Sequence, residues 1–377
     1  MHMKDKQTIY FNQKIFHRER QADTVKYAAK FFKVISPLKK EVDNLKTFNE
    51  VPLYMKIITW LVNKIPMINI RRMNNISKKA DYIYTRWDIP LFPQKPFIIE
   101  LDNPYVLTFY NYFAFKLFKP IIKRFLQSKK CMKIVCISEA CKKVFLDEMG
   151  RKFEHKTTVL YPRMRDFEQK KINKNDTIKF IFIGLDPLRK GCYELLEAFS
   201  QVKNDGISLD IIWFKNSFLQ EKYKHDKRIS FLWQIKRQII FDKHLPEGNI
   251  FILPTYHESF GIVVLESLSR GLGVITTNVF ALPEMCRNGY NGKIIKHPYL
   301  KENKYWFVDI TKMTITNFNK KFLENKKPNE KMIKELKMAI KEWIKNYKTW
   351  QKNSKNLYDN IFSKRAWEKS FLDIFKQ

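Results

Sequence analysis

The sequence predicts an α/β protein with two domains, each holding a parallel sheet covered by helices on both faces. Short apolar runs that suit buried strands alternate with segments of helical length in both halves of the chain, which is typical of parallel sheets. Residues 166–177 contain almost no apolar side chains and suit a linker. The length of 377 residues also fits two domains, at about 100–200 residues each.

Each half is expected to form a Rossmann-like domain, at 1–165 and at 178–355. The elements predicted in the first are helices at 26–34, 51–65 and 139–149, and strands at 81–85, 96–100, 133–137 and 157–161. Ser138 is expected to cap the helix at 139–149. In the second we expect strands at 178–184, 209–214, 249–254 and 273–277, and helices at 192–202 and 260–270, the latter stopped by Gly271.

The composition excludes several broad classes. Hydrophobic residues make up 45% of the chain, too many for a disordered protein. The chain contains no apolar run of about 18 uncharged residues, so a membrane span is not expected. The N-terminal residues lack the apolar core of a secretory signal. The five cysteines include no C-x-x-C pair, so reduced thiols in a cytoplasmic protein are expected rather than a zinc ribbon.

The formal net charge of +33 indicates an anionic partner or only a solubilising surface. The excess is spread over both halves, and lysines far outnumber arginines. Proteins that read phosphates and bases favour Arg, and no nucleic-acid motif is present, so we expect no nucleic-acid partner. The aromatic and basic segment 110–126 is either a helix that lies on an anionic bilayer or a core helix with a solvated basic edge.

The most informative segment is 249–295. A predicted strand ends at Pro254, a polar loop carries Glu258, and a helix begins at Phe260 with Glu266 on its second turn. The carboxyl end of a parallel strand and the following helix N-terminus form the usual ligand site of such sheets. The backbone N–H groups of 259–263, which include Ser259, Phe260, Gly261 and Ile262, can bind a diphosphate there.

This segment resembles the E-x7-E motif of the retaining glycosyltransferases of the glycosyl transferases group 1 family, which have the GT-B fold of two Rossmann-like domains facing across a cleft. The resemblance implies that Glu258 holds the donor sugar and Glu266 the ribose hydroxyls of a UDP- or GDP-sugar. It also implies that a helix at about 360–377 completes the N-terminal domain, and that neither a metal nor a cofactor is needed.

The segment 180–199 is similar to the family's G-R-x-x-x-x-K-G loop. The resemblance assigns Gly184 to the donor site and Lys190 to the donor diphosphate. Leu185 stands where the family usually has Arg, and Arg189 is the candidate to replace that charge. The alternative is that Arg189 and Lys190 are only a solvent-facing pair at the start of a helix.

The N-terminal 130 residues match the family poorly. The loop after the first strand lacks glycine, and the loop 100–104 lacks the family's frequent His, so Asp102 is the candidate to contact the reacting hydroxyl. His17, His155 and His257 are alternatives.

The sequence and the resemblance thus predict a cytoplasmic retaining glycosyltransferase, either free in the cytoplasm or peripheral on the inner face of the plasma membrane. Its acceptor is expected to be a glycan, with a lipid-linked bacterial surface polysaccharide as the candidate. The other candidate is a catalytically degenerate GT-B protein that binds glycan, membrane or a partner enzyme.

Overall fold

The computed structural model describes residues 6–12, 19–36, 72–73, 79–90, 92–164, 177–212, 217–299 and 327–376. The chain divides into two compact units. Unit 1 is Met1–Arg163 with Glu368–Gln377, and unit 2 is Met164–Trp367. Unit 2 therefore extends to Trp367, beyond the predicted end of the C-terminal domain at 355. It includes 360–367, the first part of the helix expected to complete the N-terminal domain.

Unit 1 contains a parallel sheet that, within the described ranges, has six strands in the order β2-β1-β4-β6-β7-β8. Its strands and the small pair β3–β5 are β1 (Thr8–Asn12), β2 (Lys33–Ile35), β3 (Arg72–Met73), β4 (Tyr82–Arg86), β5 (Ile89–Pro90), β6 (Phe97–Leu101), β7 (Cys131–Cys136) and β8 (Thr157–Val159). The helices are α1 (Glu19–Ala28), α2 (Tyr112–Gln127) and α3 (Glu139–Met149), with 3-10 turns at Pro104–Thr108 and Arg151–Lys156. The central strand β6 is buried along its whole length, as expected for a sheet covered on both faces.

Unit 2 repeats this arrangement in the order β11-β10-β9-β12-β13-β14 for the strands that the structure describes. These are β9 (Ile178–Ile183), β10 (Ile207–Ile212), β11 (Ile229–Leu232), β12 (Ile250–Leu253), β13 (Gly273–Thr277) and β14 (Gly292–Ile295). The helices are α4 (Cys192–Ser200), α5 (Ser217–Tyr223), α6 (Arg237–Ile239), α7 (Leu245–Glu247), α8 (Ile262–Ser269), α9 (Leu282–Met285), α10 (Glu330–Leu357) and α11 (Lys364–Asp373), with π turns at Ile240–His244 and Tyr358–Phe362.

The long helix α10 covers the unit 2 sheet with its apolar face. Trp343 is fully buried and lies against Gly273, where an added Cβ would be 1.5 Å from the indole ring. The last helix, α11, is divided between the units, with Lys364–Trp367 in unit 2 and Glu368–Asp373 in unit 1. In unit 1, Phe371 of this helix and Phe375 after it contact Phe32. These aromatic contacts hold the C-terminal residues of the chain on unit 1.

Most predicted strands and helices are present within two or three residues of their expected bounds. The helix predicted at 26–34 is wrong, because α1 ends at Ala28 and Lys33–Ile35 pairs with β1 as an edge strand. Ser138 caps α3 by accepting the backbone N–H of Cys141 at 3.0 Å, as predicted. The helix predicted at 51–65 and the linker residues 166–176 lie outside the described residues.

Candidate functional site

The two motif segments of unit 2 lie at the same edge of its sheet. Strands β9 and β12 are parallel neighbours, so the loops that follow their carboxyl ends must meet. The backbone joins these loops directly, because the N–H of Tyr256 donates to the carbonyl of Arg189 at 2.9 Å. Gly184 begins one loop and Pro254 begins the other.

Lys190 and Glu258 form an ion pair between these loops. Their side chains are 14% and 19% exposed, so the pair is largely shielded from water. Burial raises the pKa of Glu258, but the charges of Lys190 and Arg189 outweigh burial and lower that pKa to about 2. Burial, together with Arg189, lowers the pKa of Lys190 against the opposing effect of Glu258. Glu258 is therefore ionised at neutral pH, with a cation beside it.

Arg189 braces the loops. Its guanidinium donates to Asp186 at 3.0 Å and to the carbonyl of His257 at 2.9 Å. Leu185, at the position where the family usually has Arg, is 73% exposed. His257, whose carbonyl Arg189 contacts, lies in the same loop as Glu258. Burial and the charge of Arg189 lower the pKa of the His257 imidazole to about 4.

Glycines allow these loops to approach closely. Gly191 has φ +73°, and an added Cβ would be 2.0 Å from the carbonyl oxygen of Pro254. Gly261 has φ +87° at the N-cap of α8, and a Cβ there would be 2.5 Å from a methyl group of Leu282. Gly184 is less confined, since its Cβ would lie 3.1 Å from the stem of Lys190.

The N-terminus of α8 offers donors for an anion. Phe260 is buried, whereas Ser259 and Ile262 are partly exposed. The N–H of Ser259 donates to Glu258 Oε1 at 3.2 Å. The first N–H groups of a helix have no intrahelical acceptor, and those of α8 begin beside the loop that carries Glu258. This arrangement suits a phosphate group.

Glu266 lies on α8 with its side chain only 3% exposed, and Arg237 donates to its carboxylate. The guanidinium of Arg237 lies 4.8 Å from the ring centre of Phe241. Sequence reasoning missed Arg237. It is 29 residues before Glu266 and belongs to no motif, so only the folded chain brings the two together.

Asp102 belongs to unit 1, directly after the carboxyl end of β6. It is buried, and its Oδ2 accepts the hydroxyl of Tyr110 at 3.0 Å. The neighbouring Glu100 forms an ion pair with Arg86 at 3.0 Å and accepts the hydroxyl of Tyr84 at 2.6 Å. Sequence reasoning missed this buried network, which fixes the same end of the sheet.

Positive φ values also mark this edge of unit 1. Trp87 has φ +67°, Phe109 has φ +53° and Tyr110 has φ +62°. Such conformations are uncommon in bulky residues and collect at functional sites. Of the other histidines considered, His155 is exposed on a 3-10 turn, and His17 lies outside the described residues.

The described residues show neither a metal-ligand cluster nor a membrane-spanning helix. No group of three or more His, Cys, Asp or Glu side chains is placed to hold a metal ion in the part of the chain that the structure describes. In that same part, no helix has the length and apolar character needed to cross a membrane.

Part of the chain is similar to a known sequence family. Residues 164–337 match the family described as glycosyl transferases group 1. The capsular polysaccharide biosynthesis glycosyltransferase CapM of Staphylococcus aureus is 25% identical over 183 residues, which are 45% of this chain and 48% of that protein. An uncharacterized 41.2 kDa protein in the cps region of Klebsiella pneumoniae is 28% identical over 134 residues, 33% of this chain and 36% of its own length. The matched segments span less than half of these two relatives.

Solved structures match nearly the whole chain. A glycosyltransferase from Rickettsia africae has a TM-score of 0.64 at 16% identity, covering 99% of this chain and 98% of that one. Anabaena HepE in complex with UDP-glucose has a TM-score of 0.60 at 13% identity, covering 97% and 99%. At these identities the likeness shows the fold alone, and it confirms the predicted fold class.

Proposed function

We propose that this chain, whose residues 164–337 match the glycosyl transferases group 1 family and whose fold is that of GT-B proteins, moves a sugar from a nucleotide-diphosphate donor to a glycan acceptor with retention at the anomeric carbon. The observation that carries the proposal is the largely shielded Lys190–Glu258 pair at the N-terminal side of α8, with Glu266 on the same helix. A cation, helix N–H groups and two carboxylates are what a diphosphate flanked by two hydroxylated rings requires.

We assign one role to each group of unit 2. Lys190 and the first N–H groups of α8, among Ser259 to Ile262, bind the diphosphate, and Gly184 and Gly261 let it approach the backbone. Glu258 accepts hydroxyl groups of the donor sugar, and Glu266 accepts those of the ribose. Arg189 acts by holding the loops together. A UDP-sugar is favoured as donor because HepE, of the same fold, was solved with UDP-glucose.

In the proposed reaction the acceptor oxygen bonds to the anomeric carbon on the face from which the diphosphate leaves. The departing phosphate oxygen takes the acceptor's proton, and Lys190 stabilises the charge that develops on the diphosphate. Asp102 is proposed to orient the acceptor hydroxyl, with its carboxylate fixed by Tyr110. We propose that no metal or other cofactor takes part.

The acceptor is proposed to be a growing, lipid-linked surface polysaccharide. Support comes from CapM, whose name places it in capsular polysaccharide biosynthesis. With such an acceptor, the enzyme would work in the cytoplasm at the inner face of the plasma membrane.

A second candidate is a degenerate GT-B protein that binds a glycan or partner without transferring a sugar. The exposed Leu185 favours it, since a hydrophobic side chain stands where the family usually has a cation, and Arg189 is engaged with Asp186.

Donor hydrolysis without acceptor separates the two candidates. The full chain is incubated with UDP- and GDP-sugars, and release of the nucleotide diphosphate is measured. A transferase should hydrolyse one donor slowly, and Glu258→Gln should lower the rate about 100-fold or more by removing contacts to the reacting sugar. Donor binding without hydrolysis or transfer would favour the second candidate.

A further inference from the structure

Helix α2 of unit 1 carries two apolar faces, of which only one is covered. Ala114, Phe115, Ile122 and Leu126 are fully buried. On the opposite side Phe113, Leu117 and Ile121 are 66%, 50% and 48% exposed. These three residues are four apart, so they form one line along the helix. They are called the α2 apolar line below.

This line is not the usual scatter of single surface hydrophobic residues. It extends over two helical turns, and Phe109 and Tyr110, 39% and 41% exposed, precede the helix. The cost of leaving these side chains in water is about 25 cal/mol per Å2 of apolar surface. A continuous exposed patch of this kind usually marks an interaction surface.

Basic side chains accompany the α2 apolar line. The sequence of α2 holds Lys116, Lys119, Lys123 and Arg124 and no acidic residue. Lys116 and Arg124 are exposed. Helical spacing places Arg124 within the line and Lys116 at its flank, where the ammonium of Lys116 lies 4.7 Å from the ring centre of Tyr112. Lys119 is paired with Glu148 at 2.9 Å, so its charge is compensated from α3. The free surface of α2 is therefore apolar and positive.

We propose that α2 lies in the plane of an anionic lipid bilayer, with Phe113, Leu117 and Ile121 entering the interface and Lys116 and Arg124 contacting lipid headgroups. Interfacial helices combine an apolar side with Lys and Arg in this way, and each cation near an anionic surface contributes about 1 kcal/mol. A second copy of the chain fits this face poorly, because a symmetric contact would place α2 against α2 and oppose like charges.

Docking through α2 would hold unit 1 at the membrane surface, where a lipid-linked acceptor is found. In that respect it extends the proposed function. The docking itself needs neither donor nor acceptor, so it is tested without them.

The test is co-sedimentation of the full chain with phosphatidylcholine vesicles, with and without phosphatidylglycerol. Wild type should bind the anionic vesicles more tightly, and added salt should weaken that binding. Leu117→Asn with Ile121→Asn should lower the partition coefficient about tenfold or more. The matched control is Phe218→Asn with Met338→Asn, two side chains of unit 2 that are 53% and 61% exposed, and it should bind as wild type does.

A charge variant keeps the test decisive if the apolar variant folds poorly. Lys116→Ser with Arg124→Ser should lower binding to anionic vesicles about thirtyfold and leave binding to pure phosphatidylcholine unchanged. Circular dichroism checks that each variant is folded.

Three results would overturn the proposal. In the first, the wild-type protein binds no anionic vesicle. In the second, the α2 variants bind vesicles as tightly as wild type does. In the third, the wild-type protein is a dimer that binds no vesicle, and the α2 variants are monomers. The last would make the line an interface between copies. Nucleotide-induced thermal stabilisation of the same variants reports on the donor site separately, so failure of docking and failure of the proposed function are distinguishable.

Discussion

Glu258 is a carboxylate whose ionisation depends on its neighbours. Burial alone would raise its pKa, and Lys190 is the larger of the charges that lower it. Because its folded-state pKa of about 2 lies below the ordinary value of 4.5, ionisation of Glu258 stabilises the folded protein above about pH 4.5. That contribution is lost as the pH falls toward 2.

Replacing Lys190 should reduce this dependence on pH. In Lys190→Met, Glu258 loses its main cation, so its folded pKa rises toward the ordinary value or above. The part of the unfolding free energy that wild type loses between about pH 4.5 and pH 2 should become smaller. Urea denaturation at a series of pH values measures it.

Lys179→Met is the matched control for that measurement. Lys179 lies at the other end of β9 and is also ion-paired, with Glu247 at 3.2 Å, so its removal leaves Glu258 and Lys190 in place. If Lys190→Met and Lys179→Met lose the same free energy over this pH range, Lys190 does not hold the pKa of Glu258 down.

At the scale of elements, the close approach of the loops after β9 and β12 depends on Gly191. Gly191 and Gly289 have nearly equal φ, +73° and +76°, but only Gly191 would place a Cβ against backbone, 2.0 Å from Pro254. Gly289 has open space around it. Alanine variants at these two positions therefore separate the cost of a left-handed backbone from the cost of steric overlap.

Gly191→Ala should therefore destabilise the protein more than Gly289→Ala. The second change costs the strain of a left-handed residue, about 1–3 kcal/mol, whereas the first must also separate the β9 and β12 loops. Urea denaturation of both variants measures the difference. Equal losses would mean that the loops are free to move apart at Gly191.

The elements found from sequence and those missed differ in what specifies them. Strands β9, β12 and β13 are short and mostly apolar, so local pattern was sufficient to find them. Glu258, Glu266 and Lys190 were indicated by the resemblance to family motifs. The Arg237–Glu266 pair and the Glu100 network arise between segments distant in sequence. For segment 110–126 the sequence left a bilayer helix and a core helix as alternatives, because it is apolar on both sides and only packing decides which side of α2 is covered.

At the scale of the whole molecule, the C-terminal residues stabilise unit 1. Phe371 is fully buried and contacts Phe32 edge-on at 6.2 Å between ring centres. Phe371→Ala should lower the free energy of unfolding by about 3–5 kcal/mol, seen as unfolding at lower urea concentration. Lys369→Ala, an exposed position on the same helix, should unfold like wild type. If the urea unfolding curves of Phe371→Ala and Lys369→Ala coincide, Phe371 does not stabilise unit 1.

The central claim is that the edge of unit 2 around Glu258 and Glu266 binds a nucleotide-diphosphate sugar. Its most direct test is the melting temperature of the full chain with UDP, GDP, ADP, CMP and their sugars, with and without EDTA. A ligand at about 100 times its Kd stabilises by about 2.7 kcal/mol. We expect one diphosphate nucleotide to raise the melting temperature, to do so equally in EDTA, and to lose its effect in Glu266→Ala. A chain that no nucleotide stabilises, or one stabilised equally well after Glu266→Ala, would contradict the claim.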